Sequence, residues 1–254
     1  MAEVAKKWSK KLYPDLEKAG GLPRALQPLL ARFPGDLKVE GLDEPFLVYA
    51  SVKSGSRSSQ VMIAAEHRAF SADFWAQGVQ YGSGWAKSLD DVADAIHAFQ
   101  GDGLGAAALQ AGYPWVRVYD QAFIHERGAA AFVEDAWQSI VDWLAKEPPE
   151  SHQGRLLPLL RACMERPRLR RLLPFTSHDR LCFSRTTGYP YTTECPPAFP
   201  LGDGLFRMEK ASAEGPSVDG DAESIARALD GVLAPNCPAA AHGTADDLGE
   251  ASAG

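Results

Sequence analysis

Hydrophobic residues recur along this chain with two periods, and the points where the period changes divide it. Ala2 to Leu12 reads as a helix ending before Pro14. Leu22, Ala25, Leu26, Leu29, Leu30 and Phe33 mark a second helix, which Pro34-Gly35 stops. After Pro45 the period becomes two: Val48, Ala50 and Val52, then Val61, Ile63 and Ala65, then Phe70, Ala72 and Phe74 alternate with more polar neighbours. Three short antiparallel strands are expected, with turns at Ser54-Gly55-Ser56 and near Glu66-His67.

Gly82-Ser83-Gly84 loosens the chain before Ser88, which with Asp91 begins a helix running through Phe99 and ending at Gly101 and Gly103. Tyr113 to Tyr119 is a brief extended segment. Val133, Ala136, Trp137, Ile140, Val141 and Leu144 form the apolar stripe of a helix over Ala130 to Lys146, halted by Pro148-Pro149. Another helix spans Leu156 to Glu165. Beyond Pro174 the strand period returns at Leu181 and Phe183, at Tyr189 to Thr193, and at Phe206 and Met208, with Gly202-Asp203-Gly204 as a turn before the last. A final helix over Ala222 to Leu233 carries Ile225, Ala226, Leu229 and Val232 on one face.

The order predicts an α+β protein: two similar antiparallel sheet-plus-helix units joined by a helical middle segment. In residue terms this is 1–45 (N-terminal helices), 46–100 (first unit), 101–173 (helical middle) and 174–234 (second unit). Residues 235–254, rich in Ala, Gly and acids, are expected to be disordered because they offer little to bury.

A formal charge of -7, from 26 basic and 33 acidic residues, argues against a general nucleic-acid or anionic-membrane binder. No apolar run approaches the ~20 residues needed to cross a bilayer, and no leader-like segment opens the chain, so a cytoplasmic protein is expected. Cys163, Cys182, Cys195 and Cys237 form no Cys-x-x-Cys pair and read as buried reduced thiols; no metal and no cofactor is implied. Gly101-Asp-Gly-Leu-Gly105 follows a helix rather than a strand, so it is a helix stop and not a dinucleotide fingerprint. His125-Glu126 lacks the second histidine of a zinc-protease helix, since position 129 is Ala.

The densest polar constellation is Pro174-Phe-Thr-Ser-His-Asp-Arg180. His178 is the acid or base candidate, Asp179 could orient it, and Ser177, Thr176 and Tyr189 are nucleophile or relay candidates. The same Thr-Ser-His-Asp string also suits a helix-to-strand turn. Upstream, Arg161, Arg166, Arg168, Arg170 and Arg171 form a basic run that serves either as a solvated helix face or as an anion-binding fork. Arg170, Arg171 and Arg185 are the substrate-binding candidates. By strand alternation Trp75 faces away from Phe70 and Phe74, so it covers a second buried face or is available to a ligand.

Leu169-Arg-Arg-Leu-Leu-Pro-Phe-Thr-Ser-His178, followed by Leu181-Cys-Phe-Ser-Arg185, resembles the C-terminal hallmark of an actinobacterial family of unknown function described as natural product biosynthesis proteins. The pattern extends back through the Trp137 helix, the Gly78 to Phe99 unit and the Leu22 helix, covering most of residues 8–233. Asp179 departs from it, since similar proteins have an aromatic residue after the histidine. The resemblance implies specialised metabolism and no particular reaction. The leading expectation is a binding protein that holds a small molecule or peptide in a cleft between the two halves. Its rivals are a cofactor-independent enzyme using His178 with an arginine anion site, and an acidic module that engages a basic protein partner.

Overall fold

The computed structural model describes residues 11–44, 47–210 and 217–249. The chain is α+β and divides into two compact units, one ending at Glu126 and the other beginning at Arg127. Most of the helix expected over Ala2 to Leu12 lies outside the described residues.

The first unit contains helices α1 (Pro14–Ala19) and α2 (Leu22–Leu30), then strands β1 (Lys38–Glu40), β2 (Tyr49–Ser54), β3 (Arg57–Ile63), β4 (Phe70–Ala76) and β5 (Val79–Ala86). Helix α3 (Leu89–Ile96), α4 (Ala106–Gly112), β6 (Val116–Val118) and α5 (Asp120–His125) follow. The strands pair in sequence order as one antiparallel sheet, β1 to β6. Leu22, Leu26 and Leu30 of α2 bury against Val52, Val61, Phe70, Phe74, Ile96 and Phe99. Alternation therefore sends one side of β4 inward, Phe70, Ala72, Phe74 and Ala76, and leaves Ser71, Asp73 and Trp75 half-buried on the other.

The second unit opens with α6 (Ala129–Leu144) and α7 (Leu157–Met164), joined by a loop that ends in a short 3₁₀ turn, Gly154–Leu156. Strands β7 (Leu173–Ser177), β8 (Arg180–Ser184), β9 (Ala198–Gly202), β10 (Leu205–Met208) and β11 (Val218–Asp221) form an antiparallel sheet in the order β11-β10-β9-β8-β7, and α8 (Ala222–Val232) closes the unit. Trp137, Leu159, Leu160, Phe183, Ile225 and Leu229 are fully buried in its core. The α8 start follows from Asp221, whose carboxylate accepts the Ser224 N–H at 2.8 Å; the α3 start follows likewise from Ser88 and the Asp91 N–H at 3.1 Å. No helix among the described residues is long and apolar enough to cross a membrane.

Four local expectations are corrected. Gly82-Ser83-Gly84 is not a loop but the middle of β5, because glycine is required where β6 and the residues before it cross closely. A Cβ on Gly82 would stand 2.6 Å from the Arg117 carbonyl oxygen, and one on Gly84 would overlap the Trp115 carbonyl. Pro174 to Ser177 is strand β7, so the helix-to-strand turn becomes a two-residue hairpin between strands. His178 and Asp179 occupy it, with φ of 49° and 62°. Tyr189 to Thr193 lies outside the strands. Finally, residues 235–249 are not disordered. Ala240 and Ala241 donate backbone N–H groups to the carbonyls of Arg171 and Arg185, both at 2.9 Å, and the Thr187 and Gly188 N–H groups donate back to Ala241 and Gly243. Composition hid this segment, since backbone hydrogen bonds hold it and only Cys237, Ala240 and Ala245 bury apolar side chains.

Gly84→Ala places a methyl against backbone that cannot swing aside. The substitution should destabilise the protein by about 2 kcal/mol or more, in the range of overpacked interiors. Urea denaturation of the two proteins measures this, and a loss below about 0.5 kcal/mol would mean that β6 yields easily.

Candidate functional site

Apart from Arg161, which lies on α7, the arginine-rich segment is not a helix face. It passes from the end of α7 through a 3₁₀ turn at Leu169–Arg171 into β7, and most of its guanidinium groups are engaged. Arg166 pairs with Glu223. Arg168 donates to the Asp230 carboxylate at 2.8 Å and to the Asp230 and Leu233 carbonyls at 2.6 and 3.2 Å. Arg170 pairs with Glu134 at 2.6 Å and lies over the Trp137 ring at 5.4 Å. Arg171 donates to the Cys237 carbonyl at 3.0 Å, and Arg185 pairs with Glu194 at 2.6 Å. Arg166 and Arg168 therefore hold α8 to the segment after α7, Arg170 holds that segment to α6, and Arg171 holds the C-terminal segment.

His178 is exposed at the tip of the β7–β8 hairpin, and its Nδ1 lies 3.2 Å from Ser177 Oγ. Tyr189 is 69% exposed and meets Tyr191 edge-on, at 5.9 Å between centroids. The structure brings Ser177 and His178 together and does not join Tyr189 to them. Trp75 lies on β4 of the first unit. Asp179 does not hold the imidazole; its carboxylate accepts the Gln153 amide at 2.9 Å. That bond links the hairpin to the residue just before the Gly154–Leu156 turn.

Beneath the hairpin a buried hydroxyl knot fixes the chain. Ser184 Oγ is 3.0 Å from both Thr186 Oγ1 and Thr192 Oγ1, and it accepts the Thr186 and Thr192 N–H groups at 2.9 and 3.1 Å. Thr187 Oγ1 in turn meets His242 Nδ1 at 3.0 Å. The four cysteines are free and buried; burial pushes the Cys163 thiol up to about 12 and Cys182 up to about 11, which leaves both as inert thiols at neutral pH. No group of three or more potential metal ligands occurs among the described residues.

A concavity of this unit lies elsewhere. A cleft of about 300 Å³ opens between the end of α6, the loop after it, the start of α7 and the β9–β10 hairpin. Its walls are mostly apolar, with Leu144, Leu157, Pro158, Pro200, Leu205 and Phe206 among them. Two charged residues join them, Glu147 and Arg155. Both are half-buried, and neither has a hydrogen-bonding or ionic side-chain partner among the described residues. The loop is locked by Ser151, whose hydroxyl donates to the Pro148 carbonyl at 2.7 Å and accepts the Gly154 N–H at 2.9 Å. Opposite, Gly202 leaves the space beside Arg155 open: an added Cβ would come within 3.8 Å of its guanidinium. Size and lining fit a small-molecule site at the lower end of the usual range.

Sequence reasoning treated Pro148-Pro149 as a helix stop and Gly202-Asp203-Gly204 as a turn, and it singled out neither Arg155 nor Glu147. The available signal was the recurrence of Pro and Gly in two segments about fifty residues apart, which only the fold brings face to face.

Residues 131–244 match the model of a family of unknown function (DUF6193). No curated protein and no solved structure matches the chain. The matched stretch contains every residue lining the cleft and runs past α8 into the C-terminal segment, and the first unit lies outside it.

Arg168→Ala removes three partners from the end of α8 and leaves Asp230 without its cation. A loss of about 1.5–3 kcal/mol is expected, the scale of hydrogen bonds to charged groups. Arg155→Ala, which breaks no such bond, should change stability by less than about 0.5 kcal/mol. Thermal denaturation of both variants checks the contrast.

Proposed function

We propose that this protein binds a small organic molecule or a peptide end in the cleft of its second unit, acting in the cytoplasm within specialised metabolism. The observation that carries the reading is an apolar cavity whose two half-buried charges, Arg155 and Glu147, are left unpaired. An unpaired guanidinium beside apolar walls favours a carboxylate on an apolar body, because the ligand supplies the partner that the fold withholds. The family match supports placing the role in this unit, since it contains the whole lining. The metabolic setting rests on the resemblance carried by Pro174-Phe-Thr-Ser-His178.

A thermal-shift screen of apolar carboxylic acids, amino acids and short peptides should give concentration-dependent stabilisation, since a ligand selective for the folded state raises its midpoint. Arg155→Ala should abolish the shift while leaving the unliganded midpoint in place. Stabilisation that survives Arg155→Ala, or none with any carboxylate, would remove this reading.

A second reading is a cofactor-independent enzyme that uses His178 as acid or base. It is favoured by two consecutive non-glycine residues at positive φ in a tight hairpin, where Asn-Gly costs less. Through Asp179 the same turn is bonded to Gln153, which precedes the cleft-lining Gly154 and Arg155 in the chain. His178→Asn retains a residue that tolerates this backbone and removes the imidazole. Loss of turnover on a ligand found in the screen, at unchanged midpoint, is the expected result of this reading; full turnover would sink it.

A further inference from the structure

The outer face of the first sheet carries a constellation that neither the cleft nor the hairpin uses. Register places Tyr49, Met62, Ser71 and Trp85 in one row across β2, β3, β4 and β5. Tyr49, Met62 and Trp85 are 50%, 51% and 57% exposed, so the row is an open apolar track. One step along the strands, about 7 Å away, the next row reads Ser51, Gln60, Asp73, Ser83 and Arg117. The step beyond holds Lys53, Ser58, Trp75 and Gln80. Asp73 thus stands at the centre of the face, with a tryptophan in the row on either side.

Asp73 is half-buried and makes no side-chain hydrogen bond or ion pair among the described residues. Ser83, directly across the β4–β5 pair, is turned to Tyr119 at 2.6 Å. Lys53 is paired with Glu40 at 3.3 Å, and Arg117 is two strands away from Asp73. Burial alone raises the Asp73 carboxyl above its ordinary value, with no cation acting on it. Asp15 and Asp219 show the contrast, each being paired with an arginine that holds its carboxyl below the ordinary value. An ionised carboxylate that is partly stripped of water only accepts hydrogen bonds, so a cation is the complementary ligand. Aromatic faces beside it add attraction for the same charge, and the Tyr49–Met62–Trp85 row offers apolar surface for the remainder of the molecule.

We propose that the outer face of the first sheet binds a small protonated amine, its ammonium on Asp73 and its apolar portion along Trp85, Met62 and Tyr49. The site is independent of the cleft, lies outside the matched family stretch, and takes ligand charge of the opposite sign to that expected at Arg155.

The test is titration of the full chain at pH 7 with hexylamine and phenethylamine, with hexanol as the uncharged control, followed by tryptophan fluorescence and calorimetry. Saturable binding of both amines is expected, with hexanol not binding at the same concentrations. Asp73→Asn, which keeps the shape and removes the charge, should weaken it at least tenfold, equivalent to about 1.4 kcal/mol. Trp85→Ala, a change at an exposed side chain, should weaken it several-fold. Arg155→Ala should leave it unchanged, so failure here and failure of the cleft reading are distinguishable. Equal binding by Asp73→Asn, equal binding of hexanol, or no saturation by about 20 mM, far weaker than a built site gives, would each overturn the proposal.

Discussion

A backbone carbonyl or N–H that leaves water must find a partner, and in this chain side chains repeatedly meet that constraint where regular structure ends. Tyr13, fully buried, places its hydroxyl within 3.0 Å of the Ala64, His67 and Ala69 carbonyls and accepts the Ala69 N–H, which pins the turn between β3 and β4. Arg57 donates to the Leu104 carbonyl at 2.7 Å, also engages the Phe99 carbonyl, and lies over the Phe99 ring, so it closes the π-helical turn His97–Gly101 that follows α3. Gln27 bridges the Leu37 carbonyl and the Val39 N–H on either side of Lys38. Arg168 and Arg171 do the same for the end of α8 and for the Cys237 carbonyl. Each contact is worth only about 1 kcal/mol net, but leaving the carbonyl unmet costs more, so these residues fix where elements stop.

The same constraint explains the C-terminal segment. Its side chains are small, and a rule that order requires apolar burial finds nothing there. Yet Arg171, Arg185 and Pro190 present carbonyls that β7 and β8 do not use, and Ala240, Ala241 and Ala245 supply the N–H groups. The segment acts as a partial strand for groups that would otherwise lack partners, with Thr186 and Ala241 forming a parallel bridge. The family match, which runs to Thr244, is consistent with this segment being part of the unit rather than an appendage.

What was legible in the sequence follows from what periodicity encodes. The amphipathic stripes of α2, α6 and α8, the Ser88 cap and the alternation of β2 to β4 all report burial against a neighbour, and the structure has them within a few residues. The two sheet-plus-helix units were legible for the same reason. Strand β5 was not, because Gly82 and Gly84 answer to a backbone crossing at Trp115 and Arg117, some thirty residues away. The arginine run was legible as unusual and illegible as to use: guanidinium groups that hold carbonyls look in sequence like guanidinium groups that await a ligand. Pro174-Phe-Thr-Ser-His178 drew attention through its composition, whereas the cleft assembles from glycines, prolines and two isolated charges that no local pattern connects.

Half-buried charges left without a side-chain partner are informative where others, such as Arg168, Arg170 and Arg185, find one. Arg155 and Glu147 lie against apolar walls, and Asp73 lies between two tryptophans on a sheet face. Partial desolvation of an unpaired charge costs stability in the free protein, and a ligand of opposite sign returns that cost as affinity. A structural arginine such as Arg168 shows the reverse arrangement, with both terminal guanidinium nitrogens bonded from within the chain. The difference lies in the partner and not in the residue type, which is why it appears only once the fold is known. Exposed charges such as Lys87 carry no such information, because water already satisfies them.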